Sequence, residues 1–171
     1  MRLFEVRIDR EALTTIVAHA RRDAPNECCG LLVGRPGGPA AFAGNGDAAL
    51  RRAQEAGSRV PEILEAVPAS NNASDPTRRY EISPVDYFAQ IKRCRTISAA
   101  QSETFAVLGA YHSHPRGGPE PSETDTSQAF RDFIFVIVGL GSARGGMEIR
   151  TYAFHDETLV PVELTVTDAQ A

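Results

Sequence analysis

Two of the chain's four histidines stand two residues apart in the stretch 111-YHSHPRGGPEPSETD-125, at the end of an apolar run. Side chains at positions i and i+2 of a strand lie on one face, so the pattern predicts that His112 and His114 face one point while Ser113 faces away. Two neutral imidazoles directed at one point suit a divalent transition metal, zinc above all. A catalytic zinc needs a third protein ligand and one open position, and Asp125 is the nearest candidate, reached through a flexible RGGPEP loop.

The segment from Ser122 to Asp125 also has the form of a capping box, in which the first and fourth residues satisfy each other's backbone at a helix start. The two interpretations are compatible, because a helix start places Asp125 one turn from Ser122. The pattern predicts that this helix runs on to residues 128–130.

Periodicity and cap residues predict the elements that must position these side chains. Alternation over residues 3–8 predicts a strand, and Asp9 caps a helix that ends before Pro25. Ser83 caps a second helix, with Pro84 in its first position, that runs through residues 85–95. Further strands are predicted at 27–34, opening with Glu27, and at 60–67, 80–82, 104–112, 133–140, 147–154 and 159–166.

The arrangement of these elements predicts an α/β or α+β fold, with helices on the faces of a sheet. Residues 70–76 are rich in Asn, Asp and Pro, which predicts a loop. The Gly/Ala/Pro-rich connection at about 35–59 is longer than a hairpin requires, and one helical turn is expected near residues 48–56. At 171 residues, the chain is most simply one domain, 1–171.

Composition excludes several classes of function. The net charge of −4 provides no basic field for nucleic acid or anionic lipid, and no apolar stretch is long enough to span a bilayer. The N-terminus lacks the apolar region of a signal peptide. Three cysteines argue against a disulfide framework and for a reducing cytoplasm. Cys28 and Cys29 are adjacent on a predicted strand, so they face opposite ways, and we interpret them as core residues; Cys94 has no evident partner.

The motif His-x-His-Pro-x6-Ser-x-x-Asp, formed by residues 112–125, resembles the signature of the JAMM/MPN+ zinc metallopeptidases, spacing included. The resemblance implies the MPN/JAMM (cytidine-deaminase-like) architecture, a mixed and largely antiparallel β-sheet flanked by helices. It implies one zinc per chain, with His112, His114 and Asp125 as ligands. Glu27 resembles the family's general base, and Ser122 resembles the residue that steadies the oxyanion.

Two other acids could act as the base, and two other histidines have no predicted role. Glu120 and Glu123 are closer in sequence to the histidines than Glu27 and rival it as the base. His19 and His155 have no matching partner, so we expect both at the surface.

Stand-alone bacterial members of this family resemble processing hydrolases of small ubiquitin-like sulfur-carrier proteins, which cut after the carrier's C-terminal Gly-Gly and release cysteine or a short extension. The resemblance thus implies such a carrier as substrate, with no nucleic acid or membrane partner, and leaves the oligomeric state open, a homodimer included. We expect the strand at 104–111 to offer a free edge to the carrier's tail, beside the 35–59 connection. The alternatives are a non-catalytic scaffold of the same fold and a cell-wall or phage-associated peptidase.

Overall fold

The computed structural model describes residues 5–37, 60–141, 145–155 and 157–168. The predicted helical turn at 48–56 and almost all of the 35–59 connection lie outside these residues. In chain order the elements are β1 Glu5–Asp9, α1 Arg10–Asp23, β2 Cys29–Arg35, β3 Glu62–Ala69, α2 Pro84–Gln101, β4 Ala106–His114, α3 Glu123–Ser127, β5 Ile134–Gly139, β6 Glu148–His155 and β7 Thr158–Thr167.

The strands form one sheet in the order β1-β3-β2-β4-β5-β6-β7, and β1 also pairs with β7, so the sheet closes on itself. The pairings β2–β3, β2–β4, β5–β6 and β6–β7 are antiparallel, whereas β1–β3, β1–β7 and β4–β5 are parallel. This confirms the predicted mixed, largely antiparallel sheet with helices against it.

Helix α1 begins as predicted, because the Asp9 side chain accepts a hydrogen bond from the Glu11 N–H at 2.8 Å. It ends at Asp23, before Pro25. Its buried residues, Ala12, Ile16, His19 and Ala20, recur at helical spacing and form one face against the sheet.

His19 corrects the prediction of a surface histidine. Its side chain is buried, Nδ1 lies 2.8 Å from the Tyr111 hydroxyl of β4, and Nε2 lies 3.0 Å from the Asp23 carboxylate. Helical periodicity alone places His19 beside Ala20 on the core face. Hydrogen-bond partners from the helix and from β4 offset the free energy of desolvating the buried ring. The expected position of His155 at the surface is not tested, because its side chain lies outside the described residues.

Helix α2 is longer than predicted. The Ser83 hydroxyl accepts a hydrogen bond from the Val85 N–H at 3.1 Å, and Pro84 takes the first position, as expected. The helix continues beyond residue 95 to Gln101 and ends where Ser102 adopts a left-handed conformation, with φ of 53°. No proline or glycine interrupts residues 96–101, so the chain has no local reason to stop earlier.

Strand β5 is buried at all six positions, which confirms a fully buried strand within residues 133–140. β4 pairs with β2 along residues 106–112 and with β5 along residues 109–114, so residues 109–112 are paired on both edges. The prediction that this strand offers a free edge to a peptide tail is therefore wrong for residues 109–111, because antiparallel and parallel neighbours already use their main-chain groups.

Three further elements differ from prediction. Residues 80–82 belong to no strand, because side-chain and loop hydrogen bonds take the backbone groups around Tyr80. Helix α3 ends at Ser127 rather than continuing to residues 128–130. β2 begins at Cys29, so Glu27 precedes the strand rather than opening it.

Candidate metal centre

The C-terminal end of β4 carries both histidines of the motif. His112 is paired with Cys29 of β2 and with Ile137 of β5, and His114 is paired with Gly139. The two side chains share a face, as the i and i+2 spacing requires. Their Nε2 atoms lie 3.1 Å apart, His112 is almost fully buried, and the His114 side chain is 14% exposed.

Asp125 reaches the same point from the first turn of α3. Its Oδ1 lies 3.1 Å from His112 Nε2, and its Oδ2 lies 3.3 Å from His114 Nε2. One ligand atom from each of the three side chains falls within 4.8 Å of the others, a grouping that could hold a metal ion. The structure thus brings together the three residues that the sequence proposed as ligands.

The tautomer of His114 fits metal binding. Its Nδ1 lies 2.9 Å from the Gly118 carbonyl oxygen. A carbonyl only accepts hydrogen bonds, so Nδ1 carries a proton, and Nε2, which faces Asp125 and His112, is the nitrogen that could bind a metal. His112 Nδ1 is buried and has no hydrogen-bond partner among the described residues.

The loop between β4 and α3 is held in place rather than flexible, which corrects the prediction for RGGPEP. Pro119 is fully buried, and its carbonyl accepts a 2.8 Å hydrogen bond from the Tyr152 hydroxyl of β6. The Gly117 carbonyl accepts from the Gly141 N–H at 3.1 Å. A side chain at Gly139 would collide with the main chain of Gly118 and Pro119, so glycine permits this close approach.

Burial and hydrogen bonding shift the pKa values of the three side chains in different directions. Burial lowers the pKa of His112 despite its hydrogen bond to Asp125. Burial also opposes protonation of His114, but hydrogen bonds to Asp125 and the Gly118 carbonyl outweigh it and raise the pKa of that ring. Burial of Asp125 is likewise outweighed, by hydrogen bonds from the two rings, which hold the pKa of its carboxyl well below the usual range. The ionised carboxylate of Asp125 is the form that binds a metal, whereas a proton on His114 Nε2 must be released before that nitrogen can bind one.

Ser122 forms hydrogen bonds with Asp125. Its hydroxyl and its N–H each donate to Asp125 Oδ2 at 2.7 Å, and its Oγ accepts from the Asp125 N–H at 3.1 Å. This confirms the predicted capping box. It also orients Asp125 so that Oδ1 is left facing His112.

Glu27 lies just before β2 and is buried, with 7% of its surface exposed. Burial raises the pKa of its carboxyl to about 7; the charge of Asp125 raises it further, while that of His114 lowers it. Ser113 of β4 makes two hydrogen bonds to Cys28, the residue after Glu27. Its hydroxyl accepts from the Cys28 N–H at 2.9 Å, and its N–H donates to the Cys28 carbonyl at 3.1 Å. Ser113 therefore faces away from the histidines, as predicted, and ties β4 to the residue after Glu27.

Tyr80 belongs to the centre but was missed by the sequence analysis. Its ring stacks on that of His112, with centroids 4.4 Å apart and planes 24° from parallel. It lies in a loop 32 positions before His112, so neither strand nor helix periodicity connects the two. An aromatic residue three positions before the helix cap at Ser83 offered no further signal.

An apolar cleft of about 830 Å³ adjoins Tyr80. Its walls come from the start of α2 and the connection between α3 and β5, and they include Tyr80, Tyr87, Phe88, Phe130 and Phe133. Phe88 is 65% exposed and Phe130 is 67% exposed, which is unusual for such large apolar side chains.

Neither the two rival acids nor the cysteines have the environment of a catalytic group. Glu120 is exposed and pairs with Arg150 at 3.0 Å, and Glu123 is exposed in the first turn of α3. All three cysteines are free and buried. Burial raises the pKa of the Cys28 thiol to about 11 and that of Cys29 to about 12, so both remain protonated and fit the interpretation as core residues.

Comparison with known proteins identifies the family. Residues 9–153 match the family model described as prokaryotic homologs of the JAB domain. The chain is similar to the desampylase of Haloferax volcanii, with 31% identity over 132 residues that cover 74% of this chain and 75% of the relative. It is similar to the CysO-cysteine peptidase of Mycobacterium tuberculosis, with 27% identity over 162 residues that cover 94% and 90% of the two chains.

The fold is also found in a crystal structure of AF2198, a JAB1/MPN domain protein from Archaeoglobus fulgidus, with a TM-score of 0.51 and 19% identity over 95% of this chain and 97% of that one. The chain therefore belongs to the prokaryotic JAB-domain family, within the JAMM/MPN class that its motif resembles, and it is a hydrolase of that family. Within the described residues, no helix is both long enough and apolar enough to cross a membrane.

The raised pKa of Glu27 predicts a pH-dependent stability change in the metal-free protein. From pH 4.5, the ordinary pKa, up to about 7, the folded state holds a proton that the unfolded state releases, so stability falls as the pH rises through this window. Above it the folded state buries a charge. Glu27→Gln removes the cost of burying this charge, so the variant should be more stable than the parent by about 3 kcal/mol at pH 8.

Denaturant unfolding of chelator-treated protein at pH 4.5 and pH 8 measures this difference, which should nearly vanish at the lower pH. Glu163→Gln, at an exposed position of β7, is the control and should show no comparable gain. Equal stabilities of parent and Glu27→Gln at pH 8 would contradict the prediction.

Proposed function

We propose that this hydrolase is a zinc-dependent peptidase or isopeptidase that cleaves after the C-terminal Gly-Gly of a small ubiquitin-like sulfur-carrier protein. The observation that carries the proposal is the convergence of His112, His114 and Asp125 beside the buried carboxyl of Glu27. A scaffold that only bound partners would have no need to bury these polar side chains together, because each costs free energy to desolvate.

The three side chains suit zinc because two imidazole nitrogens and one carboxylate oxygen form a common catalytic zinc set that leaves one position open. When bound there, zinc would polarise a substrate carbonyl and lower the pKa of water to about 7. Gly118 and Ser122 hold His114 and Asp125 in the orientation that binding requires.

Glu27 is the general base in this proposal. A carboxyl with a pKa of about 7 can accept a proton from the attacking water and pass it to the departing amine near neutral pH. Glu120 and Glu123 are exposed to solvent and lack such an environment. Ser122 would donate its hydroxyl hydrogen to the developing oxyanion, and to do so it must turn from Asp125, where the hydroxyl now donates.

The substrate class is supported by the names of the relatives, a desampylase and a CysO-cysteine peptidase. A Gly-Gly tail brings no side chains, so it would suit a narrow approach to a zinc ion bound at this centre. The apolar cleft beside Tyr80 would receive an apolar part of the carrier next to its tail, because its exposed aromatic side chains can be buried there. The free cysteines support a reducing cytoplasm, and we retain 1–171 as one domain.

We expect the protein to hold roughly one zinc ion per chain, because two imidazoles and a carboxylate converge on one point. Metal analysis after purification without added zinc measures this. His114→Ala and Asp125→Asn should lose the metal, since two remaining ligands hold zinc poorly. Asp132→Asn, an exposed aspartate outside the centre, should keep it. Absence of metal that added zinc does not restore would contradict the proposal.

Glu27→Gln should retain zinc but lose hydrolysis by about 100-fold or more, because an amide cannot take the proton from water. Rates on a carrier adduct, measured together with zinc content, distinguish loss of the base from loss of the metal. Glu123→Gln provides the comparison: if it abolished cleavage while Glu27→Gln did not, the base would have to be reassigned.

Cleavage should depend on the carrier's Gly-Gly end and tolerate different leaving groups. The test offers a carrier–cysteine adduct, the same carrier with its penultimate glycine changed to alanine, and casein. We expect rapid cleavage of the first, at least about tenfold slower cleavage of the second because a methyl group meets the narrow approach, and little cleavage of casein. Equal cleavage of all three would indicate a broad-specificity peptidase, and cleavage of cell-wall peptides alone would favour a wall-associated enzyme.

A further inference from the structure

Residues 70–81, which we call the Asn71 loop, form most of the connection from β3 to α2 and touch the metal centre at two places. Its Tyr80 ring stacks on His112. Its Pro76 carbonyl accepts a 2.7 Å hydrogen bond from the Glu27 N–H. One loop therefore contacts both the ring of a proposed ligand and the backbone of the proposed base.

The amide of Asn71 connects these two contacts. Its Nδ2 donates to the Glu27 carbonyl at 3.0 Å and to the Arg79 carbonyl at 2.9 Å. Its Oδ1 accepts from the Ala73 N–H at 3.0 Å and from the Glu81 N–H at 3.1 Å. Arg79 and Glu81 are the two neighbours of Tyr80, so the amide fixes the chain on both sides of the stacked ring.

All four hydrogen-bonding positions of the Asn71 amide are used on main-chain groups. An asparagine amide has two donor hydrogens and an oxygen with two lone pairs. Turning the amide over would place oxygen against two carbonyls, so the partners determine its orientation. Three of the partners lie within the loop and belong to ordinary turn formation. The fourth, the Glu27 carbonyl, is 44 residues away in sequence and is not needed to form the loop.

We propose that Asn71 is a positioning residue for hydrolysis, which holds the backbone at Glu27 and the Tyr80 ring over His112 as a single unit. This inference rests on the proposed function, because Asn71 acts through the proposed base. A carboxylate that takes a proton from water must lie within hydrogen-bond reach of it, and a displacement of about 1 Å can cost roughly 100-fold in rate. Anchoring Glu27 at both its N–H and its carbonyl restricts that displacement.

Asn71→Asp tests the role with little change of shape. It keeps the oxygen that accepts from Ala73 and Glu81 and removes the donors to Glu27 and Arg79. We expect kcat to fall by about 10- to 100-fold, as is common for residues that orient an active group. KM should change by less than about twofold and zinc content should not change, because Asn71 contacts no ligand and the aspartate keeps the oxygen that accepts from Glu81 at the wall of the cleft.

Asn72→Asp is the matched control, because it introduces the same charge one position away. Asn72 is exposed, and its side chain makes no hydrogen bond with any residue that the structure describes. It should retain the parent's kcat. Asn71→Ala, which adds no charge, should resemble Asn71→Asp, and a kcat equal to the parent's in both Asn71 variants would overturn the inference.

Combining Asn71→Asp with Glu27→Gln separates positioning from a general structural defect. If Asn71 acts through Glu27, the double variant should be no more than about twofold slower than Glu27→Gln alone, because the base is already absent. A further loss as large as that seen in the parent background would overturn the inference.

Amide hydrogen exchange on chelator-treated protein gives a readout that needs no substrate. The Glu27 N–H, which donates to the Pro76 carbonyl of the Asn71 loop, should exchange at least about tenfold faster in Asn71→Asp than in the parent. Its exchange should be unchanged in Asn72→Asp. Unaltered exchange in Asn71→Asp would overturn the inference. If the parent cleaved no carrier adduct, the proposed function would fail, while the exchange rates would still decide whether Asn71 holds the Glu27 backbone.

Discussion

The candidate site depends on the pairing of β4 with a strand on each side. β2 and β5 together fix the end of β4, so His112 and His114 leave the sheet in a set direction. The parallel pairing with β5 requires a glycine at 109, since a side chain there would collide with the Ile134 main chain. A frayed or edge strand could not hold two imidazoles with their Nε2 atoms 3.1 Å apart.

The second constraint is the burial of polar groups around that end. Each of these groups would be costly to desolvate alone, and the chain offsets the cost with hydrogen bonds from the loops. Gly118 accepts from His114, Ser122 donates to Asp125, and Ser113 accepts from the segment that follows Glu27. The carboxyl of Glu27 is left less satisfied, and its pKa of about 7 reflects this. Because its ionised form is destabilised, the carboxyl can accept a proton near neutral pH, as a general base must.

The loops therefore contribute as much to the site as the strands do. RGGPEP is held by β5 and β6, although its composition suggested flexibility, because buried backbone groups must find partners. The segment around Tyr80 forms no strand for the same reason: the Asn71 amide already takes the backbone groups on either side of the ring. These side-chain partners lie far apart in sequence or in irregular backbone, where periodicity gives no information.

The sequence by itself determined the features that depend on neighbours a few residues apart. The shared face of His112 and His114 follows from strand geometry, and the caps at Asp9, Ser83 and Ser122 follow from local hydrogen bonds. Only the tertiary structure decided which distant groups meet. It brought His19 to the Tyr111 hydroxyl, placed Tyr80 on His112, and gave β4 a neighbouring strand on each side. Local rules describe the chain's own periodicity, whereas these contacts depend on which surfaces the closed sheet brings together.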